Sequence, residues 1–67
     1  MDVIVNDQKQ TVASGTTISS LLEKINIEDK SGLAVAVNQQ VISRQNWKEF
    51  QLGDNDKVLL IKISQGG

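Results

Sequence analysis

The chain has 67 residues, seven basic and eight acidic side chains for a formal net charge of -1, and a composition 39% hydrophobic and 22% charged. So short a chain makes one domain that buries only about 60% of the surface its unfolded form exposes, which leaves little room for a deep internal pocket. The balanced charge gives no reason to expect nucleic acid or an anionic membrane as a partner, and the absence of histidine, cysteine and tyrosine removes the commonest general base, the strongest nucleophile and the phenolic acid from any catalytic scheme.

Without cysteine there is no disulfide framework and no thiolate metal site. The longest apolar run, Leu33–Val37, falls far short of the roughly 18 residues that suggest a membrane span. The opening MDVIVNDQKQ lacks the apolar core of a secretory signal. A cytoplasmic protein that is not itself an enzyme is the expectation.

In chain order, Val3 and Val5 fall on one side and Asp2, Ile4 and Asn6 on the other, as in a half-buried strand. Asn6, Asp7 and Gln8 supply turn chemistry before QTVA at 10–13, a returning strand, so the chain is expected to begin as a hairpin. Ser14, Gly15, Thr16 and Thr17 break the alternation, and either threonine is suited to cap a helix through its hydroxyl. Ile18, Leu21, Leu22 and Ile25 then stand at i, i+3, i+4 and i+7, one apolar helical stripe for packing on a sheet.

After a charged loop ending at Gly32, LAVAVN at 33–38 predicts a strand covered on at least part of both faces. Asn38, Gln39 and Gln40 turn the chain into Val41 and Ile42. No clean period runs through 43–52, where Trp47, Phe50 and Leu52 are expected to pin an irregular segment to the edge of the core. Arg44 suits either an acidic partner surface or a solvated position beside the Trp47 indole.

LGDNDK at 52–57 is a second strong turn, and KVLLIKI at 57–63 is a strand for the centre of the sheet. The helix and the sheet can bury their apolar faces only against each other, which gives an α+β fold with one main helix across a mixed sheet of four to five strands. If Val3, Val5, Val58 and Leu60 face the helix, then Ile4, Leu59 and Ile61 form an exposed aliphatic patch suited to docking; the reverse parity would move that patch.

The chain closes on SQGG, residues 64–67, expected to be a flexible tail beyond a domain of residues 1–63. Glycine loses the most conformational entropy on ordering, so a closing pair contributes nothing to folding. Four extended residues reach about 13–14 Å. With no Cβ on Gly66 and Gly67, such a tail passes a channel closed to other residues and leaves its last carbonyl open to attack. A carboxylate resists nucleophiles until a partner activates it, most simply as an acyl adenylate made from ATP. Magnesium and cationic groups would come from that partner, because this chain has no Gly-rich phosphate loop. A tail without a role, on a plain interaction domain, is the alternative.

AVNQQVISRQNW at 36–47 and DNDKVLLIKISQGG at 54–67 carry a resemblance that runs nearly the whole length of the chain. They are similar to the ThiS family of thiamine-biosynthesis sulfur carriers, which have the ubiquitin-like β-grasp fold. Ser43 stands where the family usually has proline, and Asn55 where glycine is common. The resemblance implies that Gly67 is adenylated by an ubiquitin-activating-like adenylyltransferase with Gly66 giving access, and is then converted to a thiocarboxylate with sulfur from a cysteine desulfurase or related donor. Thiazole synthase would take that sulfur. It implies no bound cofactor or metal. The diglycine end is shared by related carriers, so a small subunit of molybdopterin synthase and an ubiquitin-like protein modifier remain alternatives.

Overall fold

The computed structural model describes residues 1–63, and the expected tail, residues 64–67, lies outside the described residues. The elements are β1 (Asp2–Val5), β2 (Gln8–Thr11), α1 (Ile18–Lys24), β3 (Leu33–Val37), β4 (Gln40–Ile42), a 3-10 turn (Arg44–Asn46) and β5 (Lys57–Lys62). They form one mixed sheet in the order β2-β1-β5-β3-β4, with β5 at its centre as its aliphatic run predicts. β1 and β5 are parallel, and the other pairings are antiparallel.

Both hairpins turn in two residues rather than the three expected. Asn6 and Asp7, at φ 47° and 68°, join β1 to β2, and Asn38 and Gln39, at 51° and 73°, join β3 to β4. Positive φ at both central positions matches the right-handed twist of the flanking strands, so Gln8 and Gln40 already belong to strands and pair with Val5 and Val37. The first return strand therefore starts two residues earlier than QTVA suggests, while Val12 still bonds to the Met1 carbonyl at 2.8 Å.

Of the two candidate threonines, Thr17 caps α1, its hydroxyl accepting the Ser20 N–H at 3.1 Å. The N–H groups of Ile18 and Ser19 donate to the carbonyls of Phe50 and Trp47 at 3.1 Å each, so the irregular segment after the 3-10 turn closes the helix start. At the far end Asn26 takes a left-handed conformation, φ 64°, and its N–H and that of Ile27 return to Glu23 and Leu22. That pair of bonds is a Schellman stop, with asparagine where glycine is commoner.

Ile18, Leu21 and Leu22 are buried against Val3, Val5, Val35, Val37 and Val58, and Ile25 packs at the margin. Trp47 and Leu52 are buried as expected, and Phe50 is half-buried. The Trp47 indole N–H donates to the Ile42 carbonyl at 2.9 Å, so the one polar atom of this anchor is satisfied. Ser43 holds φ -61°, the value that a proline there would fix, so serine in its place leaves the turn geometry intact. Asn55, at φ 67°, fills the left-handed position where glycine is common.

Candidate functional site

Residues 64–67 follow β5 in the chain, so the residues around β5 are the described ones next to them. Asn6 and Asn38 flank this strand from β1 and β3, and both use their side chains as substitutes for backbone. The Leu60 N–H donates to Asn6 Oδ1 at 2.8 Å while Asn6 Nδ2 donates to the Leu60 carbonyl at 3.3 Å. The Lys57 N–H donates to Asn38 Oδ1 at 3.0 Å, and Asn38 Nδ2 donates to Asp56 Oδ1 at 3.0 Å. The β1–β5 backbone register ends at Val5 and Val58, so Asn6 extends that ladder to Leu60.

The face of the sheet away from α1 carries the patch that the first parity predicts. Val3, Val5 and Val58 are buried on the helix side and Leu60 packs against them, while Leu59, Ile61 and Ile63 lie 49%, 45% and 54% exposed. Alternation puts these three on one face, in a row along β5 and the residue that follows it. Beside them stand Ala36, opposite Leu59, and Ala34, opposite Ile61; Val41 is opposite Ala36 on the next strand and 72% exposed. Ile4, Ala36, Lys57 and Leu59 line a shallow depression in this face. An exposed apolar surface of this kind is open to contact with another protein.

The end of β5 is held from its helix side by the loop before β3. The Ile63 N–H donates to the Gly32 carbonyl at 2.7 Å. Gly32 has φ +69°, and a Cβ there would stand 2.6 Å from the Ile63 carbonyl oxygen, so glycine is required both by conformation and by close approach. Lys62 Nζ donates to the Asp29 carbonyl at 3.0 Å and lies 3.3 Å from Asp29 Oδ2. The Ser31 N–H to Asp29 Oδ1 and the nearby Lys62 hold the Asp29 carboxyl below its ordinary range. The Asp29 carboxylate is thus charged at neutral pH, and what it contributes is lost as pH falls from the ordinary carboxylate range through that lowered value.

Arg44 takes the second of its two expected places. Its guanidinium lies 5.3 Å from the Trp47 ring centroid and also donates to the Lys30 carbonyl. Gly66 and Gly67, the expected access and sulfur-carrying residues, lie outside the described residues. Among the described residues no group of three or more His, Cys, Asp or Glu side chains is placed to hold a metal ion, and no helix is long and apolar enough to cross a membrane.

The family model for ThiS matches residues 2–67. The chain belongs to the ThiS family. Over 67 residues it is 36% identical to the sulfur carrier protein ThiS of Escherichia coli (strain K12), with all of both chains covered. A crystal structure of the thiamine biosynthesis protein ThiS from Geobacter metallireducens superposes with a TM-score of 0.86 at 25% identity, covering both chains completely. A solution structure of a thiamine biosynthesis protein from the same organism gives 0.77 at 25% identity, covering 88% of that chain. The sheet and helix described above are thus the ThiS β-grasp fold. Sequence reading put Leu59 and Ile61 in an apolar patch under one of two parities but left out Ile63, and it missed the contacts among Asp29, Gly32, Lys62 and Ile63, which join residues about thirty positions apart and carry no local signature beyond a glycine closing a charged loop.

Proposed function

We propose that this protein carries sulfur for thiazole formation in thiamine biosynthesis, as a co-substrate of partner enzymes rather than as a catalyst. The supporting observation is the family match, which runs through Gly66 and Gly67. The Gly67 carboxylate attacks the α-phosphorus of ATP in a partner adenylyltransferase, which supplies the magnesium, and pyrophosphate leaves. The terminal sulfur of a persulfide, provided by a cysteine desulfurase or related donor, displaces AMP from the acyl adenylate. A thiol then cleaves the sulfur–sulfur bond, its own sulfur joining the donor's in a disulfide, and the Gly67 thiocarboxylate is released. It is ionised near neutral pH, and this soft nucleophile is what thiazole synthase consumes. All of these partners belong in the cytoplasm.

Mass spectrometry of the protein recovered from its own cells tests this reading. A species heavier by the difference between one sulfur and one oxygen, localised to Gly67, is expected. An isopeptide remnant of this chain on the lysines of other proteins would overturn the carrier in favour of a protein modifier.

Docking is assigned to the apolar row on β5, because it stands exposed on the strand that leads directly to residues 64–67. Ile61→Lys is expected to weaken binding to the adenylyltransferase by about tenfold or more, since a charge in the centre of an apolar contact must be desolvated. Gln45→Lys, at an exposed position of the 3-10 turn, is expected to leave binding unchanged. Titration calorimetry of both variants measures the difference, and equal affinities would remove the patch from the docking surface.

A further inference from the structure

The final residues of β5 are held in a way the fold does not require. Leu60 is the last residue of the strand that packs on the core. Beyond it Ile61, Lys62 and Ile63 are exposed. On the β1 side the backbone ladder has stopped at Val58 and the Asn6 side chain reaches no further than Leu60. Only β3 continues alongside, pairing Ala34 with Ile61 and Leu33 with Lys62. A strand end with a partner on one side and no buried side chain frays readily.

Three contacts oppose that fraying, and all come from the loop at 29–32. Gly32 accepts the Ile63 N–H at 2.7 Å and brings its Cα against the Ile63 carbonyl. Lys62 reaches both the backbone carbonyl and the carboxylate of Asp29. Asp29 is in turn fixed by the Ser31 N–H at 3.0 Å. The Lys62 and Asp29 side chains are 53% and 75% exposed, so solvent screens their ion pair and it adds little to the stability of the whole domain. Its effect is local.

We propose that the loop at 29–32 is a clasp that fixes Ile63, the residue from which the glycine-bearing segment continues, and that Asp29 and Lys62 are positioning residues for loading Gly67. The inference rests on the sulfur-carrier reading. A segment whose origin is already fixed loses less freedom when its end enters a partner's active site, so the clasp acts on the step after docking. Docking uses the side chains on the opposite face of the sheet, Ile63 among them, whereas the clasp holds the Ile63 backbone and Lys62, so the Asp29 and Lys62 variants leave the docking side chains in place.

The test is radiolabelled pyrophosphate exchange by the partner adenylyltransferase with the full-length chain and with Asp29→Ala, Lys62→Met, the double variant and Lys62→Arg. Each single variant is expected to lower kcat about three- to tenfold with KM and melting temperature unchanged. The double variant should be no worse than Lys62→Met, which by itself already removes both the carbonyl and the carboxylate contact with Asp29, and Lys62→Arg should retain most of the rate. Faster amide exchange at Ile63 in the isolated single variants is expected alongside. Variants with wild-type kcat, or single losses that multiply in the double variant, would overturn the clasp while leaving the carrier reading intact. A wild-type chain that takes no adenylate would overturn the carrier reading and this inference with it.

Discussion

Gly66→Val is expected to leave the melting temperature of the domain where it was and to reduce adenylation of Gly67 by about a hundredfold or more. The core of the described residues is built without residue 66, so a side chain added there is expected to leave it undisturbed. The adenylating enzyme, in contrast, must bring the Gly67 carboxylate to within roughly 3–3.5 Å of the α-phosphorus of ATP, where a misplacement of about 1 Å costs on the order of a hundredfold. A branched side chain one residue earlier excludes part of the backbone space that glycine has and widens the segment in a narrow passage. Pyrophosphate exchange measures the rate and calorimetry the stability. Equal adenylation of the two proteins would overturn the steric account of why glycine precedes the reactive residue.

Trp47→Ala acts on the fold instead. The indole is 3% exposed, donates to the Ile42 carbonyl at 2.9 Å, and lies in the segment whose carbonyls close the start of α1. Truncating a buried aromatic costs about 3–5 kcal/mol. A domain of 67 residues has on the order of 3–10 kcal/mol in total. The variant is therefore expected to lose roughly 30% of its stability or more, with a fall in melting temperature of about 12 °C or more. Trp47→Phe keeps much of the apolar volume but leaves the Ile42 carbonyl without its donor, and is expected to cost about 1–3 kcal/mol. Urea unfolding of the three proteins measures both, and a Trp47→Ala midpoint close to wild type would refute the anchor.

Those two positions also mark what the sequence made legible. Trp47, Phe50 and Leu52 have no period, yet large apolar side chains in a chain this small have only one core to enter, so their burial followed from chemistry alone. The central place of β5 followed in the same way, from aliphatic residues dense enough to need cover on both edges. The two-residue hairpin turns were harder, because Asn38 and Gln39 hold left-handed conformations without a glycine between them. Asn6 and Asn38 read as turn residues and are also substitutes for missing backbone, a role that depends on which strand lies beside them. The grip of Asp29 and Gly32 on Lys62 and Ile63 was invisible for the same reason: β3 and β5 have to be neighbours before the loop leading into one can meet the end of the other.

The place of the fifth strand has a bearing on how the molecule is made. β1 and β2 form one hairpin, β3 and β4 another, and β5 alone joins them into a sheet. A nascent chain that stops before residue 57 is two detached ribbons with a loose helix, and isolated hairpins are marginal in water. Folding of this domain is therefore expected to wait until β5 has been made. A chain cut short of β5 is expected to lack a stable core and to be exposed to proteolysis, so the topology itself sorts chains that carry the last strand from those that do not.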